Sequence, residues 1–164
     1  MADRMTPEQR RRCMSRIRGR DTKPELVVRR WLWHQGFRYR LYVKSLPGRP
    51  DIVMRKWRTA IFVNGCFWHG HDCRQQQPTT NAQFWQDKIA RNRERDARNQ
   101  QLLRDAGWHV IVVWECQLAP KQLDETLHEL DLALSRIVLE RNRALPRRYG
   151  PWDDKPSIAA ECDD

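Results

Sequence analysis

No apolar run in the chain approaches the ~18 residues that a membrane-spanning helix needs, and the N-terminus lacks the apolar core of a secretory signal. A soluble, intracellular protein with no membrane partner is the expectation. Repeats and low-complexity tracts are also missing, which excludes solenoids and arrays. Acidic residues are the scarcer charge: 21 Asp and Glu face 31 Lys and Arg, a formal charge of +10 on 164 residues. Such an excess points to a polyanionic ligand. Arginine supplies 25 of the 31 cations, and its planar fork grips phosphate bidentately where lysine acts as a point charge. Cysteines number only five, an odd count that in a reducing compartment reads as metal ligands or buried thiols before disulfides.

The length suits one compact domain. Its charge is uneven: residues 1–58 carry 17 cations and 5 anions, 59–116 carry 7 and 6, and 117–164 carry 7 and 10. The phosphate-facing surface is therefore weighted to the N-terminal third. The chain is expected to divide into a basic, polyanion-binding helix over 1–20, a main domain over 21–146 and a flexible tail over 147–164, where Pro151, Pro156 and Asp163-Asp164 suggest a frayed end.

Stop and start signals give the elements. Thr6-Pro7-Glu8-Gln9 is a capping box with proline at the first helical position, and it opens a short basic helix through about Arg18. Thr22-Lys23-Pro24-Glu25 repeats the spacing and opens a second helix that Gly36 closes. Phe37, Tyr39 and Leu41 alternate with Arg38 and Arg40, as in a half-exposed strand; Asp51–Met54 and Ala60–Val63 read as buried strands joined by a polar turn. A polar helix from about Asn81 to Ala106 ends at Gly107, and His109–Trp114 is apolar enough for a sheet interior. A last helix covers roughly Lys121 to Arg141. The order α-β-β-β-α-β-α predicts a mixed sheet flanked by helices, with the fourth strand parallel to a neighbour.

The richest stretch runs from Asn64 to Cys73, directly after the third strand. Cys66, His71 and Cys73 could share one ion with Cys116, two residues past the fourth strand, and three thiolates with one imidazole suit structural zinc. The spacing is not a standard finger pattern, so small buried thiols remain an alternative. His69, between those ligands, is the best candidate general base because its ordinary pKa of about 6.5 lies near working pH. Asp51 opens a strand after a Pro-Gly turn and could hold Mg²⁺ beside a scissile phosphate, and Asp96 could orient a histidine. A strand cap and a solvated helix charge are the alternatives for these two carboxylates. Together with an arginine-rich surface, the set favours metal-assisted phosphodiester hydrolysis.

Pro47-Gly48-Arg49-Pro50-Asp51, the run Ile61–His71, Phe84-Trp85, Arg95-Asp96 and Gly107-Trp108 leading to Trp114-Glu115-Cys116 closely resemble the bacterial very-short-patch-repair DNA mismatch endonuclease family. The similarity extends from about Met14 to Leu118. It implies a single restriction-endonuclease-like domain of the PD-(D/E)XK type with structural zinc. The implied activity is a Mg²⁺-dependent nick on the 5′ side of the mispaired T in a T·G mismatch left by deamination of 5-methylcytosine. By the same resemblance Asp51 and the backbone carbonyl of Val63 hold Mg²⁺, His69 is the base with Asp96 as its partner, and Cys66, His71, Cys73 and Cys116 hold zinc. Phe67, Trp68 and Trp85 match intercalating aromatics, Met14 matches a residue inserted from the other groove, and Lys88 completes the DNA-binding set. A monomer acting in the bacterial cytoplasm, with other mismatch-repair proteins as possible partners, is the expectation. Asn64 stands where family members commonly have a second active-site histidine; it cannot transfer a proton, though it can hydrogen-bond a phosphate oxygen. Val63 offers no carboxylate where many related nucleases have one. Glu25 could add a carboxylate near the metal, or act only in its capping box.

An enzyme that cuts beside one wrong pair can exploit the lower cost of unstacking at a T·G wobble. Gly65 and Gly70 flank Phe67 and Trp68 and suggest an exposed loop tip; burial in the core is the alternative. Two other functions compete: a nuclease cutting fully paired DNA, which has no need of Phe67-Trp68, and a non-catalytic zinc-stabilised DNA-binding module, which has no need of Asp51, His69 and Asp96.

Overall fold

The computed structural model describes residues 6, 8–9, 11–12, 19–73 and 81–144. The elements are α1 (Lys23–His34), β1 (Arg40–Leu41), β2 (Ile52–Met54), β3 (Thr59–Asn64), α2 (Ala82–Asp105), β4 (His109–Trp114) and α3 (Leu123–Ala144). This is the order expected. The Thr6 capping box is formed, with Gln9 N–H donating to Thr6 Oγ1 at 3.2 Å and Thr6 N–H to Gln9 Oε1 at 3.0 Å. The remainder of the segment expected to form the basic helix, Met14 included, and the tail from residue 145 lie outside the described residues.

Two extended segments differ from expectation. The strand over Phe37, Tyr39 and Leu41 shrinks to Arg40–Leu41, paired antiparallel with Val53 and Ile52. Phe37 and Tyr39 pack against the core instead, and the Tyr39 hydroxyl donates to the Arg29 carbonyl at 3.1 Å. Tyr42, at φ 48°, turns the chain out of the extended region and ends the strand. The apolar β4 is also not internal: the sheet order is β1-β2-β3-β4, so β4 is an edge among the described residues. Its apolar character reflects cover on its faces.

That cover comes from helices on both sides. Ile52 and Met54 of β2, Ile61 of β3 and Val113 of β4 form one core cluster with Val28 and Leu32 of α1 and Leu130, Leu134 and Ile137 of α3. Residues of opposite parity, Val53 and Ala60, are fully buried outside that cluster, as is Leu103 of α2. α2 therefore covers the second face. β2 and β3 are antiparallel through a 3-10 turn at Arg55–Trp57, whereas β3 and β4 are parallel and joined by α2. The parallel register Asn64↔Trp114 has a direct consequence for the site. Cys66 and Cys116 each lie two residues beyond that last pair, side by side at the carboxyl end of the sheet.

Candidate active site and metal centre

A cleft of about 810 Å³ opens at the carboxyl ends of β3 and β4, the edge at which open α/β sheets commonly bind ligands. Asp51, Val63, Asn64, His69, Asp96 and Glu25, all singled out from the sequence, line it. Asp51 precedes β2, and its Oδ2 accepts the Val63 N–H across the strand pair at 2.8 Å. Burial pushes its carboxyl up to about 6, with Glu25 adding to the rise and the Val63 N–H, Arg29 and His69 opposing it. A cation would relieve that burial cost, so this donor fits a hard divalent ion.

His69 Nδ1 bonds Asp96 Oδ2, which leaves the other ring nitrogen free of the carboxylate. Burial alone would raise the Asp96 carboxyl, but its hydrogen bond to His69 and the charges of His69 and Arg95 bring it below the ordinary value. Helix α2 supplies more than this one contact. Asn92 Nδ2 donates to the Trp68 carbonyl at 2.9 Å, and a Cβ on Gly70 (φ 63°) would lie 2.5 Å from Ile89 Cγ2 and 3.1 Å from Arg93 Cδ. Positions 89, 92, 93 and 96 share one helix face, so loop residues 68–70 are held along two turns of one rod. Asn64 is buried, and it also lines a second, smaller cleft of about 230 Å³ shared with His69 and Trp114.

Cys66 Sγ, a His71 ring nitrogen, Cys73 Sγ and Cys116 Sγ all lie within 4.8 Å of one another. Burial pushes the Cys66 thiol up to about 12 and raises Cys116 as well, so thiolates there need a cation to form. The donor chemistry, three sulfurs and an imidazole, is that of a closed tetrahedral metal site. His71 stacks on Trp114 with ring centroids 4.3 Å apart and planes at 9°.

The aromatics are not a bare loop tip. Phe67, Trp68 and Trp85 are half-buried and meet edge to face, with centroids 5.1 to 5.9 Å apart. Lys88 Nζ lies 5.4 to 5.8 Å from the Trp68, Phe84 and Trp85 rings. Aromatic burial against one another replaces the solvent exposure expected from flanking glycines, and Phe84 is the exposed member at 54%.

Glu25 completes only half of a capping box: its N–H reaches Thr22 Oγ1 at 3.5 Å, but its carboxylate accepts the Thr22 hydroxyl at 2.9 Å and the Asp21 N–H rather than the Thr22 N–H. Yet it is 3% exposed and does more than cap. Its Oε2 accepts from Arg29 at 2.5 Å, the Tyr42 hydroxyl at 2.6 Å and the Asp21 N–H at 3.1 Å. Sequence reasoning missed Arg29, Tyr42 and Asn92. The Glu25–Arg29 spacing of four was a usable signal for the first; Tyr42 and Asn92 act through contacts distant in sequence.

Among solved structures, the catalytic domain of the homing endonuclease I-Bth0305I superposes with a TM-score of 0.50 at 19% identity, covering 72% of this chain and 99% of that one. The fold is restriction-endonuclease-like, a mixed sheet flanked by helices. The family model for DNA mismatch endonuclease Vsr matches residues 2–75. The type II nicking enzyme V.XorIIP of Xanthomonas oryzae pv. oryzae is 48% identical over 73% of this chain and 88% of its own. V.NmeAIP, the type II nicking enzyme of Neisseria meningitidis, is 46% identical over 75% and 89%. The DNA mismatch endonuclease Vsr of Escherichia coli K12 is 42% identical over 79% and 85%. The chain belongs to the Vsr family of DNA mismatch endonucleases, and it is a DNA endonuclease. No described helix is long and apolar enough to cross a membrane.

Proposed function

We propose that the protein nicks duplex DNA on the 5′ side of the mispaired T in T·G mismatches by Mg²⁺-dependent phosphodiester hydrolysis. The observation that carries this reading is the convergence of Asp51, the His69–Asp96 pair and the Phe67-Trp68 loop on one cleft edge. Asp51, with the carbonyl of Val63, would hold the divalent ion. That ion would polarise the scissile phosphate and stabilise charge on the leaving oxygen. His69 takes a proton from the attacking water, and Asp96 keeps its ring oriented and stabilises the imidazolium that forms. Asn64 hydrogen-bonds a phosphate oxygen but moves no proton, so this chain works with one histidine base. Glu25, engaged by Arg29, Tyr42 and Thr22, adds fixed negative charge beside Asp51.

Zinc is the ion that Cys66, His71, Cys73 and Cys116 suit. With four protein donors there is no open position, so its part is to fix the loop that carries Phe67, Trp68 and His69. Those aromatics, with Trp85 beside them and Lys88 over the Trp68 and Trp85 rings, form the wedge that discriminates a mismatch by its lower unstacking cost. Met14, in the basic N-terminal segment, would enter the opposite groove.

An end-labelled duplex with a single T·G pair tests the proposal, incubated with and without Mg²⁺ and resolved at nucleotide resolution. One nick 5′ of the T, in the T strand only and only with Mg²⁺, is expected. Cleavage of both strands, or cleavage without a divalent cation, would overturn it.

A further inference from the structure

The charge inside the cleft opposes the charge of the molecule. Four carboxylates line it, Glu25, Asp51, Asp96 and Glu115, against two arginines, Arg49 and Arg95. A backbone phosphate entering this mouth meets repulsion that the +10 of the whole chain offsets only at a distance. Arg95 is engaged, because its guanidinium donates to Asp96 Oδ1 at 3.2 Å. Arg49 is exposed, and its side chain has no ion pair or hydrogen bond with any described residue.

The backbone at Arg49 is held in an unusual conformation. Its φ is 49°, in the left-handed region that favours glycine, although glycine is the residue just before it. Gly48, at φ 72°, allows the turn to close on α2: a Cβ there would lie 3.0 Å from Asn99 Cβ and 3.3 Å from the Phe62 ring. Pro50, fully buried, anchors the other side, and Asp51 follows directly. The turn is therefore pressed onto α2 one helical turn from Arg95, and a side chain with no ion pair or hydrogen bond among the described residues lies two residues from the proposed metal ligand.

We propose that Arg49 grips a DNA backbone phosphate at the mouth of the cleft and seats the strand against Asp51. The assignment rests on the reading of the cleft as a DNA-cleaving site, and it adds a binding residue that neither the cysteine cluster nor the aromatic wedge supplies. A phosphate contact carries no sequence information, so Arg49 serves matched and mismatched duplex alike.

The test is binding by fluorescence anisotropy, without divalent cation, to T·G and T·A duplexes over a series of NaCl concentrations. Arg49→Gln should weaken both by the same factor, about eightfold at 0.1 M salt, and reduce the slope of log K against log salt by about 1. Arg49→Lys should keep the slope. Arg49→Gly should show the same loss as Arg49→Gln while raising Tm, because the left-handed backbone is relieved. Arg136→Gln, on α3 and outside the cleft, should leave the slope unchanged. An unaltered slope in Arg49→Gln overturns the assignment at any Tm, as does an Arg49→Gly variant that binds like wild type. If the slope falls as stated but the wild type shows no preference for T·G, the mismatch reading fails and the phosphate contact stands.

Discussion

Asp51 is where burial and function pull in opposite directions. Its carboxyl, ordinarily near 3.8, is raised to about 6 in the folded chain, chiefly by desolvation. The raised folded value means that this group favours the folded state below about pH 4, and that the contribution is lost as pH rises through about 6. Asp51→Asn should therefore stabilise the protein at pH 8 by at most about 3 kcal/mol, without added divalent cation, and by little at pH 4. Thermal melts at the two pH values check this, and an equal effect at both would contradict it. The same variant should lose nicking while keeping affinity for T·G duplex, since it removes the charge that holds the cation and relieves repulsion from the phosphate. Trp68 makes a complementary case. Trp68→Ala should cost about 1–3 kcal/mol in binding T·G duplex, the range for loss of a base–aromatic stack, and leave matched duplex almost unaffected. Because Trp68 is half-buried against Phe67 and Trp85, the melt of the variant must be read beside its affinity; equal loss on both duplexes would make Trp68 a packing residue only.

At the scale of elements, the loop from Gly65 to Cys73 is fastened from two sides. The parallel β3–β4 register brings Cys66 beside Cys116, and α2 grips residues 68–70 through Ile89, Asn92, Arg93 and Asp96. Cys116→Ser should lower zinc content and Tm together, since structural zinc contributes several kcal/mol of folding free energy, about 10 in finger peptides. Elemental analysis finding no stoichiometric zinc in the wild type would contradict that. Gly70→Ala tests the other fastening: with φ 63° and a Cβ 2.5 Å from Ile89 Cγ2, it should cost about 1–3 kcal/mol of stability and slow nicking by displacing His69 from its place. A variant with unchanged melt and unchanged rate would show that the close approach of loop and helix is not needed.

Over the whole molecule, what was legible in the sequence was what depends on short-range patterns. Thr22 with Glu25 announced α1, Gly107 closed α2, and apolar runs marked β2, β3 and β4. The cysteine–histidine set was legible as a possible ligand group because three of its four members fall within eight residues. What was not legible depends on long-range placement. Phe37 and Tyr39 alternate like a strand, yet pack as core because Tyr42 turns the chain away. β4 reads as internal though it is an edge among the described residues, since helices can cover both faces of either kind of strand. The exposure of Phe67 and Trp68 could not be read from flanking glycines because Trp85, across the loop, covers them. The polyanion partner implied by the +10 charge agrees with membership of a DNA endonuclease family, while the acidic cleft within that basic surface became visible only in the fold.

The central claim, that an aromatic wedge and a metal-assisted histidine site act together on a mismatch, is tested most directly by single-turnover nicking. Two labelled duplexes, identical except that the same T faces G in one and A in the other, are compared at saturating protein and fixed Mg²⁺. A rate ratio of about tenfold or more in favour of T·G is expected, corresponding to at least about 1.4 kcal/mol, with a ratio near 1 for Trp68→Ala. Equal rates on the two duplexes for the wild-type protein would contradict it.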